Sequence, residues 1–100
     1  MPAVVRLGDT CSGHECFPSR QNVSGSQNVF VNAKPAVRVG DAWDIHSCTH
    51  PEMPHGSHAG TQAGGSSTVY VNGKKLARVG DSISCGSSCS NGSSNVYAGG

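Results

Sequence analysis

Val29-Phe30-Val31-Asn32-Ala33-Lys34-Pro35-Ala36-Val37-Arg38-Val39-Gly40-Asp41 decides the fold, because the chain writes it again as Val69-Tyr70-Val71-Asn72-Gly73-Lys74-Lys75-Leu76-Ala77-Arg78-Val79-Gly80-Asp81. A third copy is split between the chain ends. Asn95-Val96-Tyr97-Ala98-Gly99-Gly100 supplies its opening, and Ala3-Val4-Val5-Arg6-Leu7-Gly8-Asp9 its close. Each full copy reads as a β-hairpin. A β-branched and aromatic run is followed by turn residues, Asn32-Ala33 or Asn72-Gly73. Return strands are expected over Ala36 to Val39 and Leu76 to Val79, each broken by Gly-Asp, and a Gly-Ser step precedes each hairpin at Gly25-Ser26 and Gly65-Ser66. The expected fold is all-β and pseudo-threefold, with both termini paired inside one repeat.

Size and charge limit what such a chain does. One hundred residues make one small domain, expected to span 1–100. Seven Lys and Arg against six Asp and Glu leave a formal charge of +1, which argues against nucleic acid or an anionic membrane as the main partner. The first residues lack the apolar region of a secretory signal, and no stretch is long enough to span a bilayer. Five cysteines and five histidines then suit metal binding in a reducing compartment better than a disulfide framework. Asn22-Val23-Ser24 and Asn91-Gly92-Ser93 read as chance matches to the glycosylation pattern. No helical period is present. Loops are expected over Thr10 to Gln27, Ala42 to Gly64 and Ser82 to Ser94. Loops of that length in a small domain call for a functional reason, and short hairpins need neighbours to share a core.

Counting from each Gly-Asp step supplies the reason. His14 lies five residues after Asp9, His46 five after Asp41, and Cys85 four after Asp81. Threefold geometry brings these three loops to one end, so His14, His46 and Cys85 converge near the axis. A tetrahedral zinc site needs one more ligand, with His50, His55, His58 and Cys89 as candidates. Pro54 restricts the chain beside His55 and favours it, while Cys89 is close enough in sequence to chelate with Cys85. Mixed imidazole and thiolate ligands in a closed set point to one structural zinc.

Catalysis finds little support. A thiol nucleophile at Cys16 or Cys85 has no identifiable orienting residue for its His, and Glu15 is the one carboxylate beside a proposed ligand. The chain is therefore not expected to be an enzyme. Arg6, Arg38 and Arg78 occupy equivalent places and are expected to pair internally with Asp9, Asp41 and Asp81. Trp43 has no counterpart in the other copies and is expected to anchor its loop over the core.

The Val-rich hairpin ending in Arg38-Val39-Gly40-Asp41 and Arg78-Val79-Gly80-Asp81, with Gly13-His14 and Ser84-Cys85-Gly86 in the loops, resembles the PAAR-repeat family. Pro35-Ala36-Val37-Arg38 departs from the eponymous sequence by one Val, and Lys75-Leu76-Ala77-Arg78 lacks its Pro. The resemblance implies a cone with zinc near its apex, held by His14, His46, His55 and Cys85. It implies a structural tip that caps the trimeric spike of a type VI secretion system or a contractile phage tail. The partner would be a spike of the valine-glycine repeat type, one tip per trimer, with effectors as possible cargo. The target membrane would be met only in passing. Such a tip is assembled in the cytoplasm and exported by contraction, and this chain has no residues left for a toxin extension. The competing readings are a free-standing zinc-binding or thiol-redox protein and a small adhesin held by disulfides.

Overall fold

The computed structural model describes residues 1–13, 18–48 and 56–100, with the side chains of 47–48 and 56–58 outside that description. It is all-β. Among the described residues six strands form three antiparallel hairpins: β1 (Phe30–Val31) with β2 (Lys34–Pro35), β3 (Ala42–Cys48) with β4 (Gly56–Thr61), and β5 (Tyr70–Val71) with β6 (Lys74–Lys75). The split copy closes as expected. Ala3 bridges Tyr97, and Val4 N donates to Val96 O at 3.0 Å.

The repeat hairpins turn on residues in the left-handed region. Asn32 and Ala33 have φ of 55° and 65°, and Asn72 and Gly73 have 54° and 77°. This is the type I′ geometry that matches the twist of a two-residue hairpin. Asn and Gly tolerate it, whereas Ala33 pays the Cβ penalty of a left-handed residue.

Each Arg-x-Gly-Asp is a four-residue turn. Asp9 N donates to Arg6 O at 2.9 Å, Asp41 N to Arg38 O at 2.9 Å and Asp81 N to Arg78 O at 3.0 Å. Gly8, Gly40 and Gly80 hold φ of 91°, 95° and 93° at the third position, where a type II turn demands glycine. The Asp carboxylate then folds back onto its own Arg. In the second repeat Oδ2 accepts from Arg38 N at 2.7 Å and Nε at 2.9 Å, while Oδ1 accepts from Nη2 at 2.9 Å. The other two repeats reproduce this bidentate pair. The internal pairing read from the sequence is therefore what the fold uses.

The return strands correct the expectation. Lys34–Pro35 and Lys74–Lys75 pair with their own hairpin partners, and Ala36 N and Leu76 N still donate to Val29 O and Val69 O at 3.0 and 3.1 Å. Beyond them the chain crosses to the neighbouring repeat, with bridges Arg6 to Ala36, Arg38 to Leu76 and Val4 to Arg78. Three backbone bonds close a ring about the axis: Val5 N to Ala77 O at 3.0 Å, Ala77 N to Val37 O at 2.9 Å, and Val37 N to Val5 O at 3.1 Å. Side chains repeat the circuit. Arg6 Nη1 reaches Asn32 Oδ1, Arg38 Nη1 reaches Asn72 Oδ1, and Arg78 Nη1 reaches Gly99 O, at 3.1, 2.9 and 2.9 Å. Ser93, Ser26 and Ser66 hydroxyls donate to the same three oxygens. Each of these Ser Oγ atoms also accepts the two backbone N–H groups that open its hairpin.

Two apolar clusters stack on this frame. One gathers Val4, Ala36, Val71, Leu76 and Ala98 beneath the hairpins. The other gathers Val5, Val37, Ala77, Cys11, Trp43, Ile83 and Cys89, with Cys85 packed against it. The principal extents of 42 × 24 × 22 Å, with two nearly equal short axes, fit an elongated body about a pseudo-threefold axis. Trp43 is fully inside, its Nε1 donating to Gln62 Oε1 at 3.0 Å, rather than lying over the core as a loop anchor. The expected loop from Ala42 to Gly64 contains the β3–β4 hairpin.

Burial alone would push the Asp41 carboxyl up, but the hydrogen bonds and charge of Arg38 outweigh it and hold it below the ordinary carboxylate range. A depressed folded value contributes stability above the unfolded carboxylate pKa of about 4 and loses it as pH falls through the folded one. Asp41→Asn should cost roughly 2–4 kcal/mol, by stranding Arg38, and should flatten the acid limb of an unfolding-versus-pH profile. Ala33→Gly should raise the denaturation midpoint by about 0.5–1 kcal/mol of stability, because the left-handed penalty exceeds glycine's entropic cost.

Candidate metal centre

The proposed ligands divide by whether the structure describes them. His14 and His55 lie outside the described residues, as does His50, and so does the side chain of His58. His46 and Cys85 are described. Among the described residues no group of three metal-binding side chains comes together.

His46 owes its inward aim to a bulge. Trp43 pairs with Gly60 and His46 with His58, so Asp44 and Ile45 oppose Ala59 alone. Strict alternation from the buried Trp43 would turn Ile45 inward and His46 outward. The extra residue resets the alternation: Ile45 is 61 % exposed and His46 only 4 %. The ring is also oriented. His46 Nδ1 lies 2.8 Å from Pro18 O, and a carbonyl can only accept, so Nδ1 carries a proton. A backbone carbonyl on the far ring nitrogen is the arrangement that fixes a metal-binding imidazole.

Cys85 sits on the turn that follows the third Gly-Asp, half-buried against the cluster containing Trp43. Burial raises its thiol, but hydrogen bonds with Ser87 and Arg20 and the Arg20 charge outweigh this and lower it. Its closest cationic partner is Arg20 Nη2 at 3.0 Å. Arg20 is itself buried, donates from Nε to Asp44 O at 2.8 Å and stacks over the Trp43 ring at 5.6 Å. Arg20 thus ties Cys85 to β3, the strand that carries His46, and lies two residues from the carbonyl that orients that ring. Gly60 leaves space for the sulfur: a Cβ there would meet Arg20 Nη2 at 2.9 Å and Cys85 Sγ at 3.2 Å. A half-buried, acidified thiol and an oriented imidazole are the donor types that a zinc ion takes. Arg20 was not singled out from the sequence, where it stands in an irregular loop without a repeat counterpart.

Cys89 occupies a different kind of position. Gly8 N, Gly40 N and Gly80 N donate to Asn22 O, Gln62 O and Cys89 O, and those same residues donate back to Asp9, Asp41 and Asp81. Cys89 is therefore the third member of a framework set with Asn22 and Gln62. Its side chain is buried in the core, where desolvation pushes the thiol up to about 12.

The model of the PAAR motif matches residues 19–91. The chain belongs to the PAAR-motif family. No curated protein matches it. PAAR proteins in general are spike tips of type VI secretion systems and phage tails, associate with a spike, and generally bind a metal.

Cys85→Ala and Cys89→Ala should separate in their effects. Cys89→Ala should cost roughly 1–2 kcal/mol as a core deletion while leaving metal content intact. Cys85→Ala should lower metal content in elemental analysis of the purified protein. Equal metal loss in both would place Cys89 among the ligands.

Proposed function

We propose that this chain, over residues 1–100, is the tip of a contractile injection spike, seated as one copy on the end of a trimeric valine-glycine repeat or phage-type spike. One observation carries the reading. Phe30, Tyr70 and Tyr97 hold equivalent places in the three repeats and are 56, 54 and 51 % exposed. Val29 and Val96, each beside its repeat's aromatic, are also exposed. A single chain thus presents the same apolar pattern three times about one axis, at the hairpins and against the cluster that Cys85 does not touch. Aromatic side chains so displayed are the residues that anchor interfaces. A trimer offers three equivalent strand ends, and a pseudo-threefold monomer can cover all of them at once.

At the loop side, His14, His46, His55 and Cys85 would hold one zinc. The metal would cross-link three loops that have too few apolar residues to form a core of their own. His46 is held ready by Pro18, and Cys85 by Arg20 and Ser87. The role is mechanical, a pointed and fixed end that concentrates force on a target membrane, with no turnover. Assembly in the cytoplasm and export by contraction follow from that role, and effectors would travel on the spike or its other partners.

Two measurements test this. Purified protein should carry one zinc per chain and lose its fold on chelation. Co-purification with a trimeric spike should give one tip per trimer. Truncating one aromatic, as in Tyr70→Ala, should weaken binding about tenfold or more, and truncating all three should abolish it. A spike bound with undiminished affinity by the triple variant would place the interface elsewhere.

A further inference from the structure

Cys11 and Cys89 face each other across an antiparallel bridge. Ser12 N donates to Ser88 O at 2.8 Å, and Ser90 N donates to Thr10 O at 3.0 Å. Bonds that flank a pair in this way mark a non-hydrogen-bonded pair, in which Cα atoms approach to about 4.5 Å and side chains share a face. A disulfide accepts Cα separations of about 4.4–6.8 Å. Both side chains enter one core cluster, at 1 and 2 % exposure, and both thiols are free. The equivalent bridges of the other repeats, Trp43 to Asn22 and Ile83 to Gln62, contain no sulfur. Only the junction between first and third repeats carries two.

We propose that Cys11 and Cys89 form a latent disulfide latch, closed when the folded protein meets a peroxide. The inference does not depend on the spike reading. Cys11 Sγ gives up its proton and attacks one oxygen of hydrogen peroxide, the O–O bond breaks, and the departing hydroxide takes up that proton as water. The resulting sulfenic acid is attacked at sulfur by Cys89. The S–O bond breaks, and the hydroxyl leaves as water with the Cys89 proton. Two thiols and one peroxide become one disulfide and two waters. The hydrogen bonds suit these roles. Arg20 donates to Cys11 Sγ from its backbone N at 3.3 Å and from Nη1 at 3.0 Å, supporting negative charge on the attacking sulfur. Cys89 Sγ donates to Gln62 Oε1 at 3.3 Å and so stays a thiol until the second step.

The latch would act beside the break in the chain. The split repeat is closed by the two chain ends without a covalent link, through hydrogen bonds and apolar packing, whereas each full repeat is one continuous segment. A bond from residue 11 to residue 89 encloses most of the chain and restricts its unfolded state.

Reduced, native, full-length protein exposed to equimolar hydrogen peroxide, then alkylated in denaturant and peptide-mapped by mass spectrometry, tests the assignment. The expected product is a Cys11–Cys89 linked peptide pair, lighter by two hydrogens. Its denaturation midpoint should rise. Cys89→Ser should abolish the linked pair, and Cys11→Val serves where the polar replacement fails to fold. Recovery of both residues as alkylated thiols, or linkage of either to Cys16, Cys48 or Cys85, would overturn it.

Discussion

Three backbone hydrogen bonds, Val5 to Ala77, Ala77 to Val37 and Val37 to Val5, are the constraint on which the rest of the molecule depends. A ring of this kind has no free edge on its inner turn, so each repeat satisfies the next and none can be satisfied alone. It also sets the fate of the termini. The ring contains Val5, so the N-terminal segment cannot leave without opening it. Val5 is in place because its neighbour Val4 pairs with Val96, which draws in the C-terminal segment as well.

The side-chain circuit explains why Arg-x-Gly-Asp recurs so strictly. The glycine makes the turn, the turn lets Asp chelate its own Arg, and that pair leaves one Nη1 of Arg aimed outward. In every repeat that nitrogen finds an oxygen two residues past the aromatic of the neighbouring repeat, on Asn32, Asn72 or Gly99. The close approach has a second requirement. A Cβ on Gly25, Gly65 or Gly92 would sit 2.8, 2.9 or 2.5 Å from the carbonyl oxygens of Ala36, Leu76 and Val4. Glycine there lets the returning chain lie flat against the strand, and Ser in the next position then reaches into the circuit.

Much of this was legible in the sequence because it depends on identical residues: the hairpin runs, the turns and the split copy all rest on repeated letters. What stayed hidden rests on equivalent places filled by different letters. Cys11, Trp43 and Ile83 are each two residues past a Gly-Asp and share one core cluster, but nothing in their chemistry announces it. Asn22, Gln62 and Cys89 hide in the same way, which is why Cys89 resembles a ligand on the page and belongs to the framework in space. Gly92-Ser93 reads as part of a glycosylation match, although it is the third Gly-Ser step. The β3–β4 hairpin was missed because its bulge breaks alternation, and Gly and His carry little strand signal.

The departures from symmetry then acquire a common cause. The inner frame must be nearly equal in all repeats, since a threefold ring closes only with equal steps. The outer loops carry no such condition. The second loop spends its freedom on a bulged hairpin that turns His46 inward. The first contributes Arg20, which reaches both Cys11 and Cys85. The third is short, and places Cys85 close to the frame, against the inner cluster. A frame that fixes three loop origins and leaves their lengths free can build an unsymmetrical site on a symmetrical base. That separation lets the hairpin end keep its threefold pattern while the loop end varies.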